Sequence, residues 1–248
     1  MMSGLFSLDG QKALVTGANT GIGQAIAVAL AGQGADVTCA GRRSCAETVA
    51  LIGAAGGRAS DLRLDFADPF AARDVFAGAE YSLLVNNVGI IRRADSVDFP
   101  EEDWDAVMDV NAKALFFTCQ AFGRALIAQG GQGAIVNIAS LLSFQGGIRV
   151  PSYTASKHAV AGLTKILANE WAPHGITVNA IAPGYIATNN TEALRDDPAR
   201  SRAILERIPA GRWGAPEDIA GTAAYLCSPA ARYVTGAILN VDGGWLAR

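Results

Sequence analysis

The sequence is short of soft metal ligands, and this shortage excludes two classes of protein. Its 248 residues contain four cysteines, with no Cys-x-x-Cys pair, and two histidines. A structural zinc site needs clustered ligands and a disulfide framework needs paired cysteines, so neither is expected. We expect reduced cysteines that pack as small apolar side chains.

The chain also lacks a strong net charge and a long apolar run. A formal net charge of −3 gives no basic surface for nucleic acid or for an anionic membrane. No apolar stretch approaches the roughly 18 residues of a membrane span, and the segment 1–10 lacks the basic and apolar regions of a signal peptide. A cytoplasmic protein is therefore expected, with neither a nucleic acid nor a membrane as partner.

Enough apolar material is present for a large core, and it is regularly arranged. Half of the residues are hydrophobic and 17% are charged, as is typical of a globular chain. Short β-rich runs alternate with stretches of helical spacing. Strands are predicted at 12–16, 36–40, 59–65, 82–86, 134–139, 177–182 and 237–241. Helices are predicted at 22–33, 46–54, 70–77, 101–128, 152–172 and 216–227.

This alternation predicts an α/β fold: a doubly wound parallel sheet of the Rossmann type, with helices on both faces. The nearly continuous apolar runs at 83–85 and 134–138 agree, because strands of such sheets are buried on both sides. No linker or repeat interrupts the pattern, so residues 1–248 are predicted to form one domain. The irregular stretch at about 187–209 is either a lid over the site or an ordinary surface excursion.

A glycine-rich turn, Thr16-Gly-Ala-Asn-Thr-Gly-Ile-Gly23, follows the first predicted strand. Glycine lets a pyrophosphate approach the backbone closely, and the N-terminus of the following helix offers free N–H groups. The spacing differs from the Gly-x-Gly-x-x-Gly fingerprint of dinucleotide sites. Taken alone, the turn indicates either a phosphate site or merely a tight strand-to-helix connection.

Polar residues end the neighbouring strands, where ligands of open parallel sheets bind. Asp65 could accept a hydrogen bond from an adenine amino group or could simply stabilise a turn. After the second strand, Arg42 stands where an acidic residue would select NAD. An arginine there can accommodate the 2′-phosphate of NADP, although a solvated arginine is equally ordinary.

Tyr153 and Lys157 are four residues apart on a predicted helix, with Ser140 thirteen residues before the tyrosine. This spacing places a phenol and an ammonium on one helix face. The pair indicates proton transfer, with half-buried packing of both side chains as the alternative.

Together these residues resemble the short-chain dehydrogenase/reductase family over essentially the whole chain. The matching segments are the glycine turn, Asn86-Asn87-x-Gly89, Asn111, Ser140, Tyr153-x-x-x-Lys157 and Pro183-Gly184. The resemblance implies a catalytic tetrad of Asn111, Ser140, Tyr153 and Lys157. The expected cofactor contacts are Gly17, Asn19, Thr20, Gly21, Ile22, Gly23, Arg42, Asp65, Phe66, Asn87, Gly89, Tyr153, Lys157, Pro183, Gly184, Ile186 and Thr188.

The chemistry of the tetrad agrees with that assignment. Tyr153 would be the acid in reduction and the base in oxidation, because a neighbouring ammonium and an oxidised nicotinamide both favour phenolate. Lys157 would also hold the nicotinamide ribose, and Ser140 would bind the substrate oxygen. Asn111 would hold a water that links Lys157 to bulk solvent. The cofactor, NAD or NADP, supplies the hydride.

A closer likeness within the family implies a substrate. The segments 86–93, 143–153, 182–190, 207–214 and 241–248 resemble family members that act on deoxy-keto-sugar acids from pectin or alginate. The resemblance implies reversible reduction of 2,5-diketo-3-deoxygluconate to 2-keto-3-deoxygluconate, usually in a homotetramer. The alternatives are a 3-oxoacyl-carrier-protein reductase or another carbonyl reductase, and a nucleotide-binding regulatory protein without turnover.

A sugar acid needs a cation for its carboxylate, ideally a bidentate guanidinium. Arg149 is the first choice for this contact and Arg93 the second, with a surface salt bridge as the alternative for each. Ser140 and Tyr153 would bind the reacting oxygen. Hydroxyl contacts are expected from Gln145, Tyr185, Asn189 and Asn190.

Two departures from the family pattern concern the cofactor. Val88 stands where alanine is usual, and the stretch between residues 65 and 86 is shorter than usual. The arginine after the second strand favours NADP, whereas the family members just described favour NAD.

Overall fold

The computed structural model describes residues 4–248, in which seven strands form one sheet. The strands are β1 (Lys12–Thr16), β2 (Asp36–Gly41), β3 (Arg58–Arg63), β4 (Leu83–Asn86), β5 (Gly133–Ile138), β6 (Ile176–Pro183) and β7 (Ile238–Val241). The helices are α1 (Gly21–Gly32), α2 (Ala46–Ala54), α3 (Glu101–Met108), α4 (Leu115–Ala128), α5 (Pro151–Trp171), α6 (Glu192–Arg195), α7 (Pro198–Leu205) and α8 (Pro216–Cys227), with a π-helical segment, Asp109–Ala114, between α3 and α4. Residues 1–3 lie outside the described part. They begin the segment 1–10, for which no signal peptide is expected.

The strand order is β3-β2-β1-β4-β5-β6-β7, and neighbouring strands are parallel. From β1 the chain winds outward to β3, returns to pair β4 with the other side of β1, and winds outward again to β7. Connections that leave β1 and β4 in opposite directions open a crevice at the carboxyl ends of these two strands. The predicted doubly wound parallel sheet is confirmed.

Side chains of each strand alternate between two apolar layers because successive residues of a strand point to opposite faces. Leu14 packs in one layer with Leu167 of α5. Its neighbour Val15 packs in the other layer with Ile26 of α1 and Leu226 of α8. These five side chains are at most 2% exposed. The two layers therefore fix the helices on both faces of the sheet.

A buried chain of amides crosses the sheet and ends on α5. Asn86 Nδ2 of β4 donates to Asn137 Oδ1 of β5 at 2.9 Å, and Asn137 Nδ2 donates to Thr164 Oγ1 of α5 at 3.0 Å. Buried polar groups that find partners in this way hold their elements in one register. The chain helps to set the position of α5 beneath the carboxyl edge of the sheet.

Two helix predictions were wrong. Residues 70–77 form successive turns with bonds three residues back, such as Arg73 N to Phe70 O at 2.9 Å, and the described chain has no regular helix there. The segment still buries an apolar side chain: Phe76 is 1% exposed and packs edge-on against Tyr81 and Phe122. The predicted helix 101–128 is interrupted by the π-helical segment, which apolar spacing cannot reveal.

The four cysteines are buried free thiols. Burial raises the pKa of Cys119 and of Cys227 to about 12, so both thiols stay protonated. No helix within residues 4–248 is long and apolar enough to cross a membrane.

Candidate active site

A cleft of about 790 Å³ lies at the carboxyl edge of the sheet, where β1 and β4 diverge. Its walls come from the glycine turn, the ends of β2, β3 and β4, and the segment after β6. The predicted residues that line it are Gly17, Asn19, Thr20, Gly21, Ile22, Arg42, Asp65, Phe66, Asn87, Gly89, Thr188, Asn189 and Asn190. The cleft is therefore built largely from the positions that the sequence indicated.

The glycine turn leaves no room for side chains on its inner face. Gly17 has φ of 65°, and a Cβ there would lie 2.8 Å from Asn87 Nδ2. A Cβ on Gly23 would overlap the carbonyl oxygen of Gly17. The amide of Asn87 holds this arrangement by donating to Thr16 O at 3.1 Å and Gly17 O at 3.2 Å. Asn87, expected to contact the cofactor, thus also shapes the turn itself.

Helix α1 begins at Gly21, directly behind the turn. Among the described residues, no side chain caps its N-terminus, and its first turn carries no acidic residue. Its first N–H groups and the positive end of the helix dipole can therefore meet a phosphate. The observed cradle fits a dinucleotide pyrophosphate.

The adenosine side of the cleft carries two exposed arginines, Arg42 and Arg43. Arg63 of β3 fixes their loop by donating to Arg42 O at 2.8 Å. Asp65 accepts a hydrogen bond from Ala67 N at 3.0 Å, so its carboxylate stabilises a turn while it lines the cleft. Two cations beside a ribose position suit a 2′-phosphate.

Val88 also lines the cleft, and its Cγ2 lies 3.2 Å from where a Gly17 Cβ would be. Its two methyl groups pack against the glycine turn and against the apolar layer under α5. The valine therefore fits because Gly17, which it faces, has no Cβ.

Tyr153 and Lys157 lie on the first turns of α5, which begins with a proline, a residue favoured at this position. The Nζ atom of Lys157 is 5.6 Å from the Tyr153 ring centroid and donates to Ile138 O at 2.6 Å. Lys157 is 4% exposed, and this burial lowers its pKa to about 8. Burial disfavours the charged form of Lys157, so a negative charge placed nearby would raise its pKa.

The pKa of Tyr153 differs from the expected direction. Burial raises it, while a hydrogen bond with Ser140 and the charge of Arg93 oppose the rise. Within the protein alone burial prevails, because Lys157 is turned towards the carbonyl of Ile138. The protein alone therefore does not lower the pKa of Tyr153, and the lowering expected from a bound cationic nicotinamide stays a prediction.

Ser140 ends the loop after β5 in extended geometry, and its Oγ accepts a hydrogen bond from Leu142 N at 3.2 Å. Nearby, Ser143 donates to Lys157 O at 2.7 Å and is 7% exposed. This bond ties the Ser140 loop to α5. Sequence reasoning did not assign Ser143 a role, because a serine in a loop has no distinctive pattern.

Asn111 lies in the π-helical segment and is 1% exposed. Its Oδ1 accepts from Ile90 N at 2.8 Å, and its Nδ2 donates to Ile90 O at 2.9 Å and to Ser156 Oγ at 3.1 Å. A Cβ on Gly89 would lie 3.4 Å from Asn111 Oδ1 and 3.8 Å from Lys157 Nζ, so both groups flank that glycine. The side chain of Asn111 is thus committed to Ile90 and Ser156, and the expected water link to Lys157 stays a prediction.

Six predicted cofactor residues are not part of the lining of this cleft. They are Gly23, Tyr153, Lys157, Pro183, Gly184 and Ile186. A Cβ on Gly184 would lie 2.6 Å from Asp242 Cα, so β6 can turn closely past the end of β7 only with glycine. Ile186 is 4% exposed and packs in the core.

The C-terminal Trp245 forms an aromatic cluster that the sequence did not reveal. Its ring centroid is 4.7 Å from that of Tyr185, and the Arg207 guanidinium lies 3.9 Å from the indole. Its Nε1 donates to Gln145 Oε1 at 3.4 Å. Trp213 contacts Tyr185 edge-on at 5.6 Å. The cluster brings together segments about 100 residues apart in sequence.

Arg149 and Arg93 occupy different surroundings. Arg149 Nε forms an ion pair with Asp95 Oδ1 at 3.0 Å. Arg93 Nη2 donates to Asn190 O at 3.5 Å, and Asn190 lines the cleft. The predicted first choice for the substrate carboxylate is therefore engaged elsewhere, and the second lies nearer the site.

A dinucleotide cradle at the switch point of a parallel sheet, with a tyrosine, a serine and a buried lysine beside it, defines a nicotinamide-dependent oxidoreductase. A family model described as enoyl-(acyl carrier protein) reductase matches residues 17–246. The chain belongs to the short-chain dehydrogenase/reductase family and is an NAD(P)-dependent oxidoreductase, as predicted.

Individual relatives share most of its length. The 2-dehydro-3-deoxy-D-gluconate 5-dehydrogenase of Dickeya dadantii is 54% identical over 253 residues, which cover 100% of both chains. The enzyme of the same name from Bacillus subtilis is 56% identical over 248 residues, 98% of this chain and 97% of its own. A crystal structure from Agrobacterium tumefaciens with bound NADP, provisionally named a 2-deoxy-D-gluconate 3-dehydrogenase, is 72% identical, has a TM-score of 0.98, and matches over 98% of this chain and 99% of that one.

Proposed function

We propose that this enzyme reduces 2,5-diketo-3-deoxygluconate to 2-keto-3-deoxygluconate in uronate catabolism, with NADP as its cofactor. The observation that carries the proposal is a Ser140–Tyr153–Lys157 site beside the guanidinium of Arg93. Full-length identity of 54% to a 2-dehydro-3-deoxy-D-gluconate 5-dehydrogenase supports the substrate class.

The protein residues divide the work of the reduction. The bound nicotinamide supplies the hydride for the substrate carbonyl carbon. Tyr153 gives its phenolic proton to the carbonyl oxygen, and Ser140 donates a hydrogen bond to that oxygen. Burial raises the pKa of Tyr153, so the phenol holds its proton at neutral pH, while Ser140 and Arg93 oppose the rise and so favour release of that proton to the substrate. Lys157 then stabilises the phenolate by its charge.

Arg93 binds the substrate carboxylate in this proposal. Its charge reaches Tyr153, and its guanidinium contacts the carbonyl of Asn190 at the rim of the cleft. A guanidinium is the preferred partner of a carboxylate. The acid would thus be held at one end while its keto group lies against Tyr153.

The preference for NADP rests on the two exposed arginines after β2. No acidic residue stands at that position, where a carboxylate would repel a 2′-phosphate. The related Agrobacterium tumefaciens structure contains NADP, which supports the same choice.

The segment 187–209 is proposed to be a lid on a single domain. Thr188 Cγ2 lies 3.4 Å from where a Gly21 Cβ would be, so this segment already meets the glycine turn across the cleft.

A homotetramer is proposed from the exposed apolar side chains of Trp104 on α3 and Ile166 on α5, which are 40% and 46% exposed. Light scattering after size-exclusion chromatography tests the assembly. The cytoplasmic location stays a prediction.

The direct test is a spectrophotometric screen of NADH and NADPH with the diketo acid and with an acetoacetyl thioester. We expect NADPH oxidation with the diketo acid. Activity with the thioester alone would contradict the proposed substrate and favour a carrier-protein reductase.

Tyr153→Phe tests the proton donor, since it deletes only the phenolic hydroxyl. Loss of a general acid should lower kcat by about 10²–10⁴-fold. An unchanged kcat would show that another group supplies the proton.

A further inference from the structure

Arg149 has an unusual backbone conformation. Its φ is 63°, and it is the one non-glycine residue with positive φ in the part of the chain that the structure covers. A side chain with a Cβ is disfavoured in this region, and such a residue persists only where its surroundings hold it. The feature calls for a contact that keeps Arg149 in place.

Two contacts hold Arg149, and both reach the same loop. Its carbonyl oxygen accepts a hydrogen bond from Ala94 N at 3.2 Å. Its Nε pairs with Asp95 Oδ1 at 3.0 Å. The loop after β4 and the loop before α5 are thereby joined through main chain and side chain at once.

The joined segments carry the two groups that must meet the substrate. Arg93 directly precedes Ala94, and Tyr153 lies four residues after Arg149 on α5. The guanidinium of Arg93 also reaches Asn190 O at 3.5 Å on the far side of the cleft. Its charge acts on the Tyr153 hydroxyl, where it opposes the rise in pKa caused by burial.

We infer that Arg149 is a positioning residue that fixes Arg93 relative to Tyr153. The inference rests on the proposed function, in which Arg93 binds the substrate carboxylate. It replaces the expectation that Arg149 binds the carboxylate itself, because its Nε is already paired with Asp95 and the left-handed backbone gives the residue a structural task.

The ion pair is suited to positioning rather than to stability. The side chains of Arg149 and Asp95 are 58% and 67% exposed. Pairs this exposed contribute little to folding. Breaking the pair should therefore leave the fold intact and loosen the loop that carries Arg93.

The test is a set of variants assayed for KM and kcat with the diketo acid and with NADPH. Arg149→Asn keeps a residue that tolerates the left-handed region but removes the guanidinium. Asp95→Asn breaks the same pair from the other side. Arg93→Gln removes the proposed carboxylate ligand, and Arg93→Gln/Arg149→Asn combines both changes. Arg58→Gln, which removes an exposed charge on β3 outside the cleft, is the control.

We expect Arg149→Asn and Asp95→Asn to raise KM for the diketo acid by a similar factor, about three- to tenfold, and to leave KM for NADPH unchanged. Arg93→Gln should raise it more, and the double variant should resemble Arg93→Gln, because Arg149 acts only through Arg93. Arg58→Gln should behave as the wild type. Arg149→Gly, which removes the backbone strain, should melt no earlier than the wild type.

Different results separate the two proposals. If Arg93→Gln leaves KM for the diketo acid unchanged, the proposed role of Arg93 is wrong. If Arg93→Gln raises that KM but Arg149→Asn adds its own full factor in the double variant, Arg149 contacts the substrate directly and the positioning role is overturned. If Arg149→Asn raises KM for the diketo acid but Asp95→Asn does not, the positioning role is overturned as well.

Discussion

The nucleotide end and the substrate end of the cleft are built in different ways. The nucleotide end is built mainly of backbone, from the glycine turn and the free N–H groups of α1. Two arginine side chains from the loop after β2 complete it. The proposed substrate end, beyond the lining of that cleft, is made of side chains from distant segments, as in the contact between Gln145 and Trp245. A backbone site needs a few glycines in consecutive order, whereas a side-chain site needs the folded chain to assemble it.

The largest expected effect tests the backbone end. Gly23→Ala places a methyl group against the carbonyl of Gly17. Overpacking of this kind costs about 1–3 kcal/mol, so we expect NADPH affinity to fall by about 10- to 100-fold in fluorescence titrations. Gly53→Ala in α2 is the matched control, because nothing lies within 4 Å of its Cβ position. Equal affinities of the two variants would show that the turn is not a close-fitting cradle.

Lys157 joins the two ends, and its burial predicts a pH-dependent cost to stability. Its pKa is about 8 in the folded protein against 10.5 for a free lysine. Between these values the unfolded state binds more protons, so this group's contribution to stability rises as pH increases from 8 to 10.5. Below pH 8 the cost approaches about 3 kcal/mol.

We therefore expect Lys157→Met to be more stable than the wild type in urea unfolding at pH 7, by up to about 3 kcal/mol. The advantage should shrink as pH rises to 10.5. Lys165→Met, on the exposed face of the same helix, should show no such trend. A pH-independent difference between Lys157→Met and the wild type would mean that the ammonium is not penalised by burial.

A smaller effect is expected at the adenosine edge. Arg42→Ala removes one of the two cations beside the expected 2′-phosphate, so KM for NADPH should rise by about tenfold while KM for NADH changes little. Arg58→Ala, an exposed arginine of β3 outside the cleft, controls for the loss of charge. Equal changes with both nucleotides would refute a contact with the 2′-phosphate.

The smallest effect tests the assembled end. Trp245→Phe keeps an aromatic ring beside Tyr185 and Arg207 but deletes the N–H that bonds Gln145. The bond is long, at 3.4 Å, so we expect KM for the diketo acid to rise only about threefold, with kcat and KM for NADPH unchanged. Tyr233→Phe, at a fully exposed ring outside this cluster, is the control. A change in KM for NADPH would show that Trp245 contributes to nucleotide binding rather than to the substrate end.

Much of the fold was predictable because its signals are local. Strand β1 and helices α2 and α8 begin and end where the sequence indicated. The helix predicted at 70–77 was wrong because Phe76 is buried by packing on Tyr81 and Phe122, and this burial does not need a helical backbone. The interruption around Asn111 was missed because a single π-helical segment has no distinctive sequence pattern.

The candidate site divides in the same way. Ser140, Tyr153 and Lys157 come from two neighbouring elements, so their spacing in sequence already indicates their proximity. Arg149 was the first choice for the carboxylate because it lies between Ser140 and Tyr153, yet its partner is Asp95 on another loop. Nearness in sequence could not show in which direction a side chain on a left-handed backbone would point.

The sequence by itself determined the parallel sheet, the glycine cradle and the shared helix face of Tyr153 and Lys157, because alternating apolar runs, glycine conformations and helical spacing act over a few residues. Only the tertiary structure decided that Arg149 pairs with Asp95, how Asn111 is committed to Ile90 and Ser156, and that Trp245 bonds Gln145. These contacts join residues far apart in the chain, and their geometry exists only after the helices and strands have packed.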